Sequence, residues 1–349
     1  MDTSNSRVRQ VRSHGEQGKG GNILGIEPHM LPQDYKSQGT LCTKLASYLD
    51  VARTQGLLNE QTIVLWPEWI GSPILATGEA QFVYTVKSIG IAIGFLIVSH
   101  LPSFIRYWMS AAEKNRIVAA VFRMKAQTMA EVYDAVFSSL ARDYVVTMVA
   151  GSIVLPAPQI RDGKLVAGAG PLYNVSAIYA SDGSIFPNLV LKAFPTADEL
   201  PFTTPAPVQD LPAFDTVAGR LGVLICADSW YPQAYATLKS RGVDFIAVPS
   251  FGAGTPDTWN QPWAGYDGWP CPPDVDPNDI GHITEGQAWF KYAMAGRIGE
   301  SGAGQGVNVF LRGDLWNAEI EGGRATVVND GKVIVQNPVM GGSLFNLWL

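Results

Sequence analysis

Three residues with different chemistry stand where apolar, β-branched runs of the chain stop. Glu68 follows TIVLWP, Lys192 follows NLVL and Cys226 follows RLGVLI. In open sheets neighbouring strands deliver their ends to one crevice, so three strand-end residues far apart in sequence can meet. A thiol is the best latent nucleophile among side chains. At a pKa of ~8.5, however, little of it is thiolate at neutral pH, so it needs a base or a positive field. Glu68 could be the base and Lys192 the field. Taken singly, each residue also has a plainer role: free Cys is among the most buried side chains, and a Glu or Lys at a strand end is commonly a solvated charge.

The elements that must position these groups are legible as alternating patterns. Residues 22–26 read as a strand, and residues 40–57 place Leu41, Leu45, Leu49 and Ala52 at helical spacing. The run TIVLW is continuous rather than alternating, as expected of a strand covered on both faces. A helix is predicted over 124–142, then strands in YVVTMVAGSIVL and YNVSAIYA. Further on, RLGVLIC, WYPQAYATLKSRG and VDFIAVPS form a strand-turn-helix-strand unit. Residues 251–284 are rich in Gly, Pro, Trp and Asp without periodicity, which suits a lid or binding loop. A helix over 285–297 and strands in VNVF, ATVVND and KVIVQ follow, the last two joined at Asn329-Asp330-Gly331. No repeat or linker divides the chain, so one α/β domain over 22–349 is expected. Residues 1–21 carry no apolar signal core and read as a disordered polar tail.

Residues 89–105, IGIAIGFLIVSHLPSFI, are the most apolar stretch. The run is shorter than the ~20 residues of a spanning helix and is interrupted by Ser99, His100 and Pro102. Burial in the core is therefore expected in preference to peripheral membrane contact, an alternative kept open by Lys114, Arg116, Arg123 and Lys125 downstream.

Composition narrows the function classes. With 349 residues, 47% hydrophobic and 16% charged, the chain can build a large core and is not of disordered type. A net charge of -6 gives no basic field for a phosphate backbone, so no nucleic-acid partner is expected. Cys42, Cys226 and Cys271 form no C-x-x-C pair, which argues against a disulfide framework or structural zinc and for a reducing, cytoplasmic setting. His14, His29, His100 and His282 show no metal spacing, and GESGAGQG lacks the Lys-Ser/Thr of a phosphate loop, so neither a metal nor a nucleotide cofactor is expected.

Three ordered blocks, TIVLWPEWIG, GSIFPNLVLKAFPTADE and GRLGVLICADSWYPQAY, together resemble the carbon-nitrogen hydrolase family, the nitrilase superfamily. The resemblance runs over roughly 22–340. It implies an αββα sandwich, assembly into a homodimer or larger homo-oligomer, and a cofactor-free thiol hydrolase acting on a small nitrile, amide or carbamoyl compound. Carried over residue by residue, it makes Glu68 the general base, Lys192 the oxyanion stabiliser, Cys226 the nucleophile and Glu199 an accessory carboxylate, with the Ala227 N–H a second oxyanion donor. Trp69, Asp228, Trp230 and Trp259 are candidates for the pocket wall. Trp259, with Trp263, Tyr266 and Trp269, could equally pack the long loop onto the body. The sequence Cys226-Ala227-Asp228-Ser229-Trp230 departs from the family's Cys-Trp-Glu and Cys-Tyr-Asp/Glu patterns and leaves the substrate class open. Acyl transfer to an amine and a catalytically silent scaffold are the alternatives.

Overall fold

In the computed structural model, residues 7–18, 20–337 and 339–349 are described, and their apolar runs build two six-stranded sheets packed face to face. The first sheet runs Val8–His14, Gly342–Trp348, Asn22–Glu27, Thr62–Leu65, Thr147–Val149 and Ile178–Tyr179 in spatial order. The second runs Ala213–Thr216, Gly219–Val223, Phe245–Ser250, Gln305–Phe310, Thr326–Asn329 and Lys332–Val335. A three-stranded sheet of Val190–Leu191, Leu172–Ser176 and Ile153–Pro156 adjoins them.

Six helices are named here: α1 (Gln38–Thr54), α2 (Ile89–Ser99), α3 (Leu101–Ser110), α4 (Arg116–Tyr144), α5 (Pro232–Arg241) and α6 (Glu285–Tyr292). Strand alternation explains the layers. Ile23, Ile63, Leu65 and Val149 point from the first sheet into a core shared with Val223, Val307 and Val309 of the second. Leu24, Val64 and Met148 point the other way, against Leu45 and Leu49 of α1 and Met129 and Phe137 of α4. With a side-chain period of two and both faces covered, the strands must be apolar throughout, which is why TIVLW shows no alternation. At Gly25 a Cβ would lie 2.6 Å from Val309 and 2.7 Å from Val307, so the residue's bareness lets the sheets approach. Gly222 likewise makes room for Leu238 of α5 on the outer face of the second sheet. The order helix, sheet, sheet, helix is the αββα sandwich that was expected.

Three expectations are corrected. Within the supposed tail, residues 8–14 form an edge strand parallel to Gly342–Trp348, a partner at the opposite end of the chain that no local pattern reveals; residues 1–6 and 19 lie outside the described residues. Helix α4 starts at Arg116 rather than 124, because the Asn115 side chain accepts from the Val118 N–H and caps it. Residues 89–105 are not buried: they span most of α2 and α3, which meet at a bend of 101°.

Only Ala92 and Leu96 of α2 are buried, and no residue of α3 is. Val98 is 72% and Met109 68% exposed. A helix apolar on every side can give only one face to the body, and here the others are left outside. His100 anchors the bend on Glu79 at 2.8 Å, and Glu79 also pairs with Lys125 at 2.6 Å. Arg116 closes the pair by donating to the Trp108 and Met109 carbonyls at the end of α3. Among the described residues no single helix is long and apolar enough to cross a membrane; α2 and α3 meet that test only together. Val98→Gln and Met109→Gln are expected to change unfolding free energy by less than ~0.5 kcal/mol. Leu96→Gln, beneath the pair, is expected to cost more than ~2 kcal/mol in urea titrations.

Candidate active site

Glu68, Lys192 and Cys226 come from three different sheets and line one cavity of about 470 Å³. Pairing of the strand Thr62–Leu65 continues through the Trp66 N–H to the Val149 carbonyl, and Pro67, which has no N–H to give, stops it. The next turn is clamped to the neighbouring strand end. The Trp69 N–H donates to Ser152 Oγ at 2.9 Å, and the Gly71 N–H to the Ser152 carbonyl at 2.9 Å. Gly151 sits at φ +68, where a Cβ would lie 2.1 Å from the Pro67 carbonyl oxygen, so only glycine fits. Trp69 itself is left-handed at φ 65. This turn aims the Glu68 carboxylate into the cavity.

Lys192 extends the strand Val190–Leu191, its N–H bonded to the Asn174 carbonyl. Its ammonium donates to Glu68 Oε1 at 2.7 Å and to Glu199 Oε2 at 2.6 Å. A turn capped by the Glu199 carboxylate on the Thr196 N–H brings that side chain back to Lys192. Asn174 joins the two acids from below: its Nδ2 donates to Glu68 Oε1 and to Glu199 Oε1, each at 2.8 Å. Cys226 opens a short 3-10 turn, Cys226–Trp230, with φ 49. A left-handed non-glycine residue is strained, and here it turns the thiol out of the strand end toward Glu68. The Sγ donates to the Phe251 carbonyl at 3.6 Å and also faces the Glu68 carboxylate, close enough to favour its charge.

A nucleophile-type thiol, a buried acid and a lysine held between two acids at the ends of strands from separate sheets are now in one place. The family model for carbon-nitrogen hydrolase matches residues 103–269, the segment that holds Lys192, Glu199 and Cys226. Over that segment the chain is similar to the carbon-nitrogen hydrolase family. No curated protein matches it by sequence.

Solved structures of the amidase from Nesterenkonia sp. AN1 share this chain's fold. A cysteine-to-serine mutant of that amidase, from the nitrilase superfamily, aligns with a TM-score of 0.55 at 15% identity over 96% of this chain and 93% of that one. A glutamate-to-glutamine mutant carrying the product of Michael addition of acrylamide at its active-site cysteine gives 0.54 at 14% identity, over 94% and 93%. A cysteine-to-alanine mutant in complex with butyramide gives 0.54 at 14%, over 96% and 94%.

The electrostatics of this cavity follow from burial and one cation. Burial pushes the Glu68 carboxyl up to about 7, with Lys192 opposing and Glu199 reinforcing the shift. For Glu199 burial acts the same way, but the Lys192 charge and the hydrogen bonds from Lys192, Thr196 and Asn174 outweigh it and hold the acid below its usual range. Burial works against the Lys192 charge, yet Glu199 and Glu68 raise its pKa well above the ordinary value. Burial first, and then the Glu68 charge, push the Cys226 thiol up, so at rest it is protonated.

The four candidates for the pocket wall divide. Trp69 lines the cavity; Asp228, Trp230 and Trp259 do not. Asp228 is fully buried and accepts from the Ala193, Phe194 and Ile225 N–H groups at 2.9, 2.8 and 3.2 Å, tying the stretch after Lys192 to the Cys226 turn. Trp230 stacks on Trp263, and Trp259 on Trp289, so both pack the long loop against the body. That loop still contributes Phe251, Gly252, Thr258 and Asp267 to the cavity. Ala227, half-buried, is the first residue past Cys226 in its turn.

Asn174, Ser152 and Phe202 were not singled out by sequence. The one usable signal was Asn174, a polar residue inside the apolar run YNVSAIYA.

Because Glu68 holds its proton more tightly folded than at its ordinary value of 4.5, folding loses stability as pH rises from there through about 7. Glu68→Gln removes that penalty. Its thermal midpoint, relative to wild type, is expected to be higher at about pH 8 than at about pH 5 by scanning calorimetry. A relative midpoint that falls toward alkaline pH contradicts the stated ionisation.

Proposed function

We propose that the chain hydrolyses a small amide through a Cys226 thioester, with Glu68 as general base and acid and Lys192 as oxyanion donor. The observation that carries this reading is the bridging of Glu68 and Glu199 by one buried ammonium, 2.7 and 2.6 Å away, in the cavity that holds the thiol. Glu68 takes the thiol proton as Sγ attacks the amide carbon, and the developing oxyanion is held by the Lys192 ammonium and the Ala227 N–H. Glu68 returns the proton to the amide nitrogen, the C–N bond breaks and ammonia or an amine leaves. Water, deprotonated by Glu68, then attacks the thioester and frees the acid and the Cys226 thiol. Glu199 keeps Lys192 charged and oriented throughout.

An amide is favoured over a carbamoyl amino acid by the charge of the cavity. Lys192 is the one cation among its described lining residues and is already paired twice, whereas Asp198, Asp267 and Glu285 also face the space. A substrate bearing a carboxylate would meet acids without a partner. The Nesterenkonia amidase structures with an acrylamide adduct and with bound butyramide concern a protein of the same fold and support trying primary amides first.

Cys226→Ala is expected to abolish ammonia release from primary amides while leaving the thermal midpoint near wild type, with an acyl adduct on wild-type protein seen by intact mass. Lys192→Met should lower kcat at least ~10²-fold, the usual cost of one oxyanion donor. A variant that raised KM alone would mark Lys192 as a binding group. Since the base must be ionised, kcat/KM is expected to fall toward acid with a midpoint near 7, where burial puts Glu68, rather than near 4.5.

A further inference from the structure

A second cavity, of about 370 Å³, abuts the first under α2. Its wall is apolar apart from Ser72: α2 gives Ile89, Ala92, Ile93 and Leu96, and α4 gives Val118, Val121 and Phe122. Trp69, Phe202 and Phe251 line both cavities, so the space beside Cys226 and the apolar space share one aromatic wall. The rings are set edge to face or tilted, Trp69 with Phe202 at 6.2 Å and with Phe251 at 6.3 Å, while Phe122 stacks on Phe202 at 5.8 Å. The volume lies within the range of small-ligand pockets, about 300–1,000 Å³. With one hydroxyl among its lining side chains, it offers nothing to a polar group and much to a hydrocarbon.

We infer that this cavity is the acyl-chain site of the active centre, and that the preferred substrates are amides of aliphatic acids longer than the catalytic cavity alone would hold. The inference rests on the proposed amidase reading and names its substrate class. The carbonyl carbon sits at Cys226, the acyl chain passes the Trp69, Phe202 and Phe251 rings, and its end lies beneath Ala92 and Leu96. The roof fits this use. Helix α2 is apolar on the face that lines the cavity and on the face turned outward, where Ile91 is 52% and Val98 72% exposed. A hydrocarbon chain can therefore reach the cavity along α2 over apolar surface. Burial of chain also explains why a pocket so near a charged triad carries a single polar side chain, Ser72.

The test is the slope of log kcat/KM against chain length for ammonia release from acetamide, butyramide, hexanamide and octanamide. Wild type is expected to gain about fourfold per methylene until the cavity is full, the increment for burying a CH₂ group. Ala92→Trp, which fills the roof, is expected to flatten that slope. Because the slope is measured within one protein, a fall in the folded fraction does not imitate the effect. Acetamide turnover with a flat or falling wild-type slope overturns the acyl-chain site and leaves the amidase reading standing. If no amide is turned over, the amidase reading fails, and calorimetric titration of Cys226→Ala with octanamide decides the site alone. Binding tighter than that of acetamide, weakened by Ala92→Trp, supports it; equal or absent binding overturns it.

Discussion

One buried ammonium has to balance two buried carboxylates, and the rest of the site follows from that shortage of positive charge. Lys192, Glu68 and Glu199 are all buried. Ionising both acids beside one cation would leave a net negative charge in low dielectric, so one acid must yield its claim. Glu199 has the Thr196 N–H in addition to Lys192 and Asn174, whereas Glu68 has Lys192 and Asn174 with the thiol nearby. The asymmetry lets Glu199 stay ionised and leaves Glu68 titrating near neutrality, where a group can both take and return a proton. Burial, reinforced by the Glu68 charge, keeps the thiol protonated. In the proposed reaction the sulfur therefore loses its proton during attack, not before it.

Such a balance demands placement that one sheet alone does not supply. Glu68 hangs from the first sandwich sheet, Cys226 from the second and Lys192 from the small three-stranded sheet, so the distances between them are set by how the layers pack. Tethers lock the three ends together: Ser152 holds the Glu68 turn, Asn174 spans both acids, and Asp228 ties the peptide after Lys192 to the Cys226 turn. Left-handed backbone at Trp69 and Cys226 costs energy that these bonds and the buried strands around them offset.

What sequence reveals here depends on the range of the interaction. Glu68, Lys192 and Cys226 are visible because each closes an apolar run, and the two-faced burial of those runs is a local property of the strand. Asn174 is not, since only its pairing across from Lys192 brings it under the acids. Asp228 was mistaken for a pocket residue because its type suggests solvent or substrate, whereas three backbone amides draw it inward. The first strand escaped notice for want of its partner, more than three hundred residues on. In 89–105 apolarity alone suggested burial. The bend at His100, held by Glu79, turns α3 along the start of α4, where none of its residues is buried.

In the proposed reaction Trp69 couples the chemistry to the choice of substrate. It follows Glu68 directly, so the turn that aims the carboxylate also aims the indole, and the hydrogen bond from its N–H to Ser152 fixes both at once. Its ring packs with Phe122, Phe202 and Phe251, which belong to the wall shared by the two cavities or to the lining beyond it. A change that resizes this wall through Trp69 must disturb a backbone already in a left-handed conformation, and with it the base. A change on α2 need not, because that helix carries none of the three proposed reacting groups. Substrate range should therefore be free to vary along α2, while Trp69 is constrained by the acid beside it and Phe202 by its N–H bond to the Glu199 carbonyl.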